Sequence, residues 1–299
     1  MINSLVFEIK NGKSFIYLAK ELGISEYTLR YDWLIKGNTI PLSVFRKLIR
    51  LNPKLSFEDF KSKIEILEPY WGQKSGNKYF KPYLLPSKNT KEFAEFYGIM
   101  LGDGCLYSDL KGICISGDKI LEREYFENYL KKLLKNLFNM TPRINLSNAN
   151  RSLRLIMYSK PISEYLLKIG FPKGKKLNHK IKIPKYILKN NELTSYCIRG
   201  LFDTDGSLSA HPHSKAMIHL SVTSESLRDS ICLGFNHLGI KVGKYNKGIL
   251  IYGENKINQF YKIIGSSNPK NLFKFKQFIK IGKIPTSKET ESFLMSKSS

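Results

Sequence analysis

Two Asp-Gly pairs carry the chemistry that this sequence can do: Asp103-Gly104 closes the stretch FYGIMLGDG (96–104), and Asp205-Gly206 closes IRGLFDTDG (198–206). Each pair ends a predicted helix, over residues 92–103 and 193–205. In the first, Ala94, Gly98 and Gly102 fall four residues apart on one face; in the second, Gly200 and Thr204 do the same. Small residues at i and i+4 let two helix backbones come together, because no side chain keeps them apart. Helices paired through these faces would bring Asp103 and Asp205 side by side. Each carboxylate would then face the negative end of a helix dipole and also its twin. A divalent cation resolves that conflict. Magnesium is held by a few carboxylates, water and substrate phosphate oxygens. A metal on a scissile phosphate activates water and stabilises the leaving oxygen. The glycines that follow permit a sharp exit and close approach of a nucleic-acid backbone. A lone Asp-Gly is ordinarily a turn; two that close helices with small-residue faces and open the same repeat are far more specific.

The elements that must position these acids repeat along the chain. After the first acidic helix come strands near 105–109 and 112–116, a helix over 120–139, strands near 143–146 and 153–158, and a short helix ending in LLKIG (166–170). After the second come strands near 207–211 and 217–223, a helix over 225–238, strands near 241–245 and 249–252, and a short helix ending in YKIIG (261–265). The two aspartates are 205 − 103 = 102 residues apart. The order predicts an α+β fold of two pseudo-symmetric αββαββα halves, over 91–170 and 193–265, related by an internal twofold axis in a monomer. Between them, 171–192 is a basic linker, with Lys173, Lys175, Lys176, Lys180, Lys182, Lys185 and Lys189, and no acid before Glu192. Phosphate contact is at least as good a reading of it as solvation.

Ahead of the repeat, residues 1–70 read as a small all-α domain. Phe15–Leu22 is amphipathic, Gly23 breaks it, and Ser25 caps a second helix to about Ile35. Leu18, Ala19, Leu22, Ile24 and Leu29 supply the contacts of a helix-turn-helix, which leaves Glu26, Tyr27, Arg30 and Tyr31 exposed. A third helix near 42–51 closes the bundle. A helical hairpin that reads no DNA is the competing reading. Residues 71–90, rich in Gly, Lys, Pro, Ser and Asn, read as a linker, and 266–299 as a basic C-terminal extension.

Charge narrows the partner. Lys+Arg number 49 against 25 Asp+Glu, a net +24. Residues 1–75 hold 12 basic and 8 acidic groups, so the remaining 224 hold 37 and 17, a net +20. Such an excess around the motifs favours a polyanion, with nucleic acid first. No apolar run reaches the length of a membrane span, and the N-terminus lacks the layout of a signal peptide. The four cysteines, Cys105, Cys114, Cys197 and Cys232, form no CxxC pair, so neither a zinc site nor a disulfide framework is indicated, and a reduced intracellular setting fits.

FYGIMLGDG and IRGLFDTDG resemble the two signature helices of single-chain LAGLIDADG homing endonucleases. The resemblance covers roughly 91–265 and implies antiparallel sheets forming a saddle over double-stranded DNA. It makes Asp103 and Asp205 the metal-binding acids, with Gly102 and Thr204 offering backbone oxygens to Mg2+, for which Mn2+ substitutes. Such enzymes often carry a Lys or Gln near the end of the second strand of each half; here those places hold Asp118 and Lys119, and Thr223 and Ser224. Lys119, Lys180 and Lys182 are the candidate basic partners, with Lys119 and Lys182 taken as catalytic. The segment 182–187 and the N-terminal domain resemble archaeal or intein-type members, yet the chain opens with Met1 and ends in Lys-Ser-Ser, which argues against an intein.

Strand alternation assigns the faces. Ile113 and Ile115, Ile144 and Leu146, and Ile218, Leu220 and Val222 point to the core. The opposite face presents Tyr107, Lys111 and Ser116, then Arg143, Asn145 and Arg154. In the second half it presents Ser207, Ser209, His211, Lys215, His219 and Ser221, joined by Lys241, Tyr245 and Lys247. Such side chains suit major-groove edges; Lys180, Tyr27 and Arg30 complete the expected DNA contacts. His211 and His213 flank a Pro and read as surface loop. The expected activity is site-specific, metal-dependent hydrolysis of both DNA strands. The alternative is a non-cleaving regulator, or an RNA-splicing maturase on the same scaffold.

Overall fold

Short amphipathic helices make up the N-terminal unit: α1 (Ile2–Lys10), α2 (Phe15–Leu22), α3 (Thr28–Ile35), α4 (Leu42–Arg50) and α5 (Glu58–Lys61). The computed structural model describes residues 2–68 and 83–296, and the chain divides into units 1–78 and 79–299. Ser14 caps α2 by accepting the Tyr17 amide, and Gly23, with φ 72°, returns its amide to Ala19 and Lys20. The hydroxyl of Ser25 accepts the Thr28 amide at 3.0 Å. Beyond it α3 is wound more widely than an α-helix; the Lys36 amide donates to the Tyr31 carbonyl, the i to i−5 bond of a π-helix. Leu18, Ala19, Leu22 and Leu29 are buried as the pattern predicts, and Ile24 packs against them. Helix α1 contributes Leu5 and Val6 to the same core. Of the expected linker, residues 71–82 lie outside the described residues. Residues 83–90 belong to the second unit, where the Leu84 amide donates to Phe138 (2.9 Å) and the Tyr165 hydroxyl to Pro86 (2.6 Å).

The second unit contains the predicted repeat. Its first copy is α6 (Lys91–Leu101), β1 (Gly104–Leu106), β2 (Gly112–Asp118), α7, β3 (Arg143–Leu146), β4 (Ser152–Tyr158) and α8 (Lys160–Lys168). Helix α7 is π-helical over Tyr125–Leu130 and α-helical over Lys131–Phe138. After the short α9 (Lys185–Leu188), the second copy is α10 (Asn191–Asp205), β5 (Gly206–His211), β6 (Lys215–Ser221), α11 (Glu225–His237), β7 (Gly243–Tyr245), β8 (Gly248–Tyr252) and α12 (Glu254–Ile263). The strands make two antiparallel sheets in the same order, β1-β2-β4-β3 and β5-β6-β8-β7. The fold is α+β with two αββαββα halves.

Alternation sets the faces as expected for most strands. Ile113, Ile115, Ile218 and Leu220 are buried in one continuous core that both halves share. Leu146 departs from this. It ends the edge strand β3 and is 45% exposed, since no further strand covers it. The segment between the halves is not a bare linker. Ile181, Ile183, Ile187 and Leu188 are buried, while Lys180, Lys182 and Lys185 stay outside. The C-terminal extension is also ordered, into α13 (Pro269–Ile281) and α14 (Ser287–Ser296). Pro at the start of α13 and Gly282 after it, at φ 68°, mark its ends. Among the described residues no helix is long and apolar enough to cross a membrane.

Candidate functional site

Helices α6 and α10 cross where their side chains are missing. A methyl on Gly98 would overlap the Cys197 carbonyl, and one on Gly200 would overlap the Glu95 carbonyl and lie 2.8 Å from the Ile99 amide. The backbones therefore touch, as the small-residue faces predict. At the ends of the helices, a methyl on Gly102 would overlap the Thr204 hydroxyl and stand 3.2 Å from Asp205 Oδ2. Asp103 and Asp205 thus share one partly covered place at the head of β1 and β5.

Their electrostatics record the crowding. Burial is the main influence on Asp103, and with Glu122 it pushes the carboxyl up to about 6 against the pull of Lys176 and Lys270. Burial and then Asp103 push Asp205 up to about 7, opposed by Lys176. Two neighbouring carboxylates that resist ionisation make a site short of positive charge. Among the described residues no three acidic, His or Cys groups converge into a closed cage. The donors that are present, two carboxylates beside helix-end carbonyls, suit an ion that keeps water and takes phosphate oxygens, which is how magnesium binds.

The cations at this place are not those that the strand positions suggest. Lys119 points its ammonium at the Ser147 carbonyl (2.9 Å), away on the β3–β4 turn. Asp118 is held by Arg151 at 2.8 Å and caps the Ile120 and Leu121 amides. Lys182 and Lys180 are exposed and do not figure among the charges that act on the aspartates. Lys176 does: it donates to Met100 (3.0 Å), Leu101 (2.9 Å) and Gly102 carbonyls at the end of α6. Lys270 pairs with the buried Glu122 at 2.7 Å. These two lysines sit six residues after Gly170 and five after Gly265, so each half is followed by a lysine that bears on the acids, Lys176 on both and Lys270 on Asp103. That match of the repeat's trailing segments is the signal in the sequence that could have found them.

A second group of buried polar residues braces the centre. Asp203, two residues before Asp205, is fully buried and pushed up to about 7 by that burial; it accepts the Ser267 amide (2.7 Å) and the Ser266 hydroxyl. The side chain of Asn268 donates to the Asp203 carbonyl (2.9 Å) and to Glu122 (3.3 Å). The Ser267 hydroxyl donates to Glu95 (2.7 Å), whose other partners are Tyr129 (2.8 Å) and Arg199. The start of the C-terminal extension therefore ties α6 and Glu122 of the first half to α10 of the second.

The predicted DNA-facing side chains on the strands lie on the sheet face turned away from the core. Cross-strand pairing aligns Ser116 with Arg154 and Asn145, and the Ser116 amide donates to the Asp103 carbonyl (3.2 Å). Arg143, Asn145 and Arg154 are exposed, and Tyr107 is partly so. In the second half Ser207 aligns with His219, and Ser209 with Met217 and Tyr252. His219 bonds the Tyr245 hydroxyl across the face, and Ser221 is exposed beside Gly248. Lys111 is tied to Asp109 at 3.2 Å in the β1–β2 turn. His211 bonds Ser214 (2.9 Å) in the β5–β6 turn that also holds Lys215. Lys241 and Lys247 are exposed loop residues flanking β7. Tyr158 and Tyr252, at the ends of β4 and β8, occupy the same face and were legible from the alternation past Arg154. In the N-terminal unit Tyr27 is exposed and its ring lies tilted against that of Tyr31 (centroids 5.0 Å apart), while Arg30 is engaged by Glu26 at 3.2 Å and lies over Phe15.

With that geometry in place, the comparisons with known proteins bear on the second half directly: residues 192–274 match the family model of the LAGLIDADG-like domain. This part of the chain is similar to a LAGLIDADG-like domain. The matched span contains α10, Asp205, the β5–β8 sheet and Lys270. Among curated proteins, the chain is 28% identical over 306 residues to the replication factor C small subunit of Methanocaldococcus jannaschii, covering 93% of this chain and 16% of that protein. It is also 28% identical over 180 residues to the NrdEB alpha subunit of ribonucleoside-diphosphate reductase from Bacillus subtilis, covering 56% of this chain and 16% of that protein. The chain thus spans about a sixth of these relatives' length. Two solved structures are similar: the homing endonuclease I-DmoI in complex with DNA and Mn (TM-score 0.42, 15% identity, 58% of this chain and 96% of that one), and full-length DUF199/WhiA from Thermatoga maritima (TM-score 0.43, 17% identity, 70% and 68%).

Proposed function

We propose that the chain is a site-specific, magnesium-dependent DNA endonuclease of the homing type, which hydrolyses one phosphodiester on each strand of a long target. The observation that carries this reading is the placement of Asp103 and Asp205. Two helices with no side chain between them hold the carboxylates together at the inner edge of two like sheets. The family match over 192–274 supports it. The curated relatives do too, in a particular way. A replication factor C small subunit and a ribonucleoside-diphosphate reductase alpha subunit are differently named proteins, yet each matches this chain through about a sixth of its length. This fits a segment whose activity is its own.

In this reading the metal, when bound, activates water and stabilises the leaving oxygen. The residues of the chain do the rest. Asp103 and Asp205 hold the ion, Lys176 and Lys270 balance the charge of the acid pair, and Arg143, Asn145, Arg154, His219 and Tyr245 meet the duplex. The protein acts as a DNA-associated monomer whose two halves stand for two subunits. Incubation with Mg2+ and a library of long duplexes is expected to yield a single class of double-strand break. Binding is expected to weaken steeply with salt: the logarithm of the affinity should fall with a slope of roughly −0.9 per phosphate neutralised. A flat salt response would remove the proposed basic surface. The second reading, a DNA-binding regulator that does not cleave, is favoured by the hold of Lys176 on Gly102. It is chosen if specific binding occurs without nicking in Mg2+ or Mn2+.

A further inference from the structure

One of the two acidic helix ends carries a cation of its own. Lys176 comes from the segment between the halves, on a 3-10 turn over Lys176–Asn178. The turn is fixed to the first half by the Gly174 amide, which donates to Leu106 (2.7 Å), and by a parallel bridge between Leu106 and Lys173. Its ammonium reaches three successive carbonyls, Met100, Leu101 and Gly102. These are among the carbonyls that a helix leaves without an internal partner, at its negative end. The end of α10 is finished otherwise. There the Thr204 hydroxyl folds back onto Gly200 (3.1 Å) and Leu201 (3.0 Å), and the Gly206 amide donates to Phe202. The two ends therefore differ in one respect that matters to a metal: the Gly102 oxygen is already committed to a positive charge.

We propose that Lys176 is a resident counter-ion for the end of α6 in the metal-free protein, and that a divalent ion binds there by exchange, taking the Gly102 oxygen from the ammonium. This rests on the divalent-ion reading of Asp103 and Asp205. The exchange makes metal binding a competition within the chain. The ammonium holds the acid pair together before metal arrives and weakens the metal's grip by its own charge.

Mn2+ titration of the full chain without DNA, followed by electron paramagnetic resonance and by thermal unfolding, tests this. Lys176→Met is expected to bind Mn2+ roughly tenfold more tightly than wild type, because a charge held beside the ion is gone. Its metal-free form is expected to melt lower than wild type, and its Mn2+-saturated form at the wild-type temperature. Lys176→Arg keeps the charge and is expected to keep the wild-type affinity. Wild-type or weaker Mn2+ binding by Lys176→Met overturns the proposal. If that variant does not fold alone, Mn2+ is expected to restore it, and failure to do so overturns the proposal equally. If wild type shows no Mn2+ binding that Asp103→Asn removes, the metal reading itself falls and the exchange with it, an outcome distinct from intact binding that ignores Lys176.

Discussion

Replacing Asp103 or Asp205 with Asn is expected to slow strand cleavage by roughly a hundred- to a thousandfold or more, the several kcal/mol that a metal supplies to such a step. Duplex binding is expected to remain, because each change removes a negative charge and leaves the basic sheet faces untouched. Cleavage at the wild-type rate by both variants would remove the assignment. The same variants have a second, opposite consequence for stability. Both carboxyls are raised, to about 6 and about 7, from the ordinary value of 3.8. Between those values the folded chain binds more protons than the unfolded one, so stability falls as pH rises through the window. Above pH 7 the full penalty of holding two charged carboxylates together is present; below about 4 it is absent. Metal-free wild type is therefore expected to lose melting temperature between pH 4 and 7, and Mg2+ to return part of the loss at neutral pH and little near pH 4. The Asn variants should lose less over the same range. Asp203, also raised to about 7, adds the same trend in all of them, so the comparison between variants isolates the acid pair.

Much of this arrangement was readable from local rules, and the parts that were not share a cause. The helices, the strands and the faces of β2, β4, β5 and β6 follow from period and alternation, which depend only on near neighbours. The small-residue faces likewise announce the crossing of α6 and α10 without long-range information. The basic partners did not yield to the same reasoning. Lys119 stands at the strand end where such a residue would be sought, yet Asp118 uses that corner to hold the turn amides of Ile120 and Leu121 and the side chain of Arg151, and Lys119 reaches the Ser147 carbonyl instead. Lys176 is one of seven lysines in 171–189, and nothing in its neighbours separates it from Lys175 or Lys180. Its place is set by Gly174 meeting Leu106 across a gap of 68 residues. Glu122, Asp203 and Asn268 were hidden for a related reason. Charged residues are almost never fully buried unless paired, and their partners lie on segments 60 or more residues away.

The helix crossing leads to the largest expected effect on stability. In an ordinary helix, Ala in place of Gly stabilises by up to about 1 kcal/mol. At Gly98 and Gly200 the sign should reverse. The added methyl of Gly98→Ala would overlap the Cys197 carbonyl and lie 3.1 Å from the Leu201 amide; that of Gly200→Ala would overlap the Glu95 carbonyl. Backbone cannot step aside as a flexible side chain can, so the helices must part. Each substitution is expected to cost roughly 1–3 kcal/mol, the range for overpacking in a rigid core, seen as a drop of roughly 2–10 °C in melting temperature. Gly243→Ala, whose methyl would meet the Leu250 carbonyl at 3.7 Å, serves as the control and should shift little. The double variant decides between a local clash and a shared one. If one methyl already separates the helices, the second finds the gap open, and the two costs together fall well short of their sum. Additive losses would mean that each glycine relieves its own contact and that the helices do not move as a pair. Separation also has a chemical readout. A chain in which the crossing has opened should lose cleavage faster than it loses DNA binding, since the sheets keep their faces while Asp103 and Asp205 no longer share an ion.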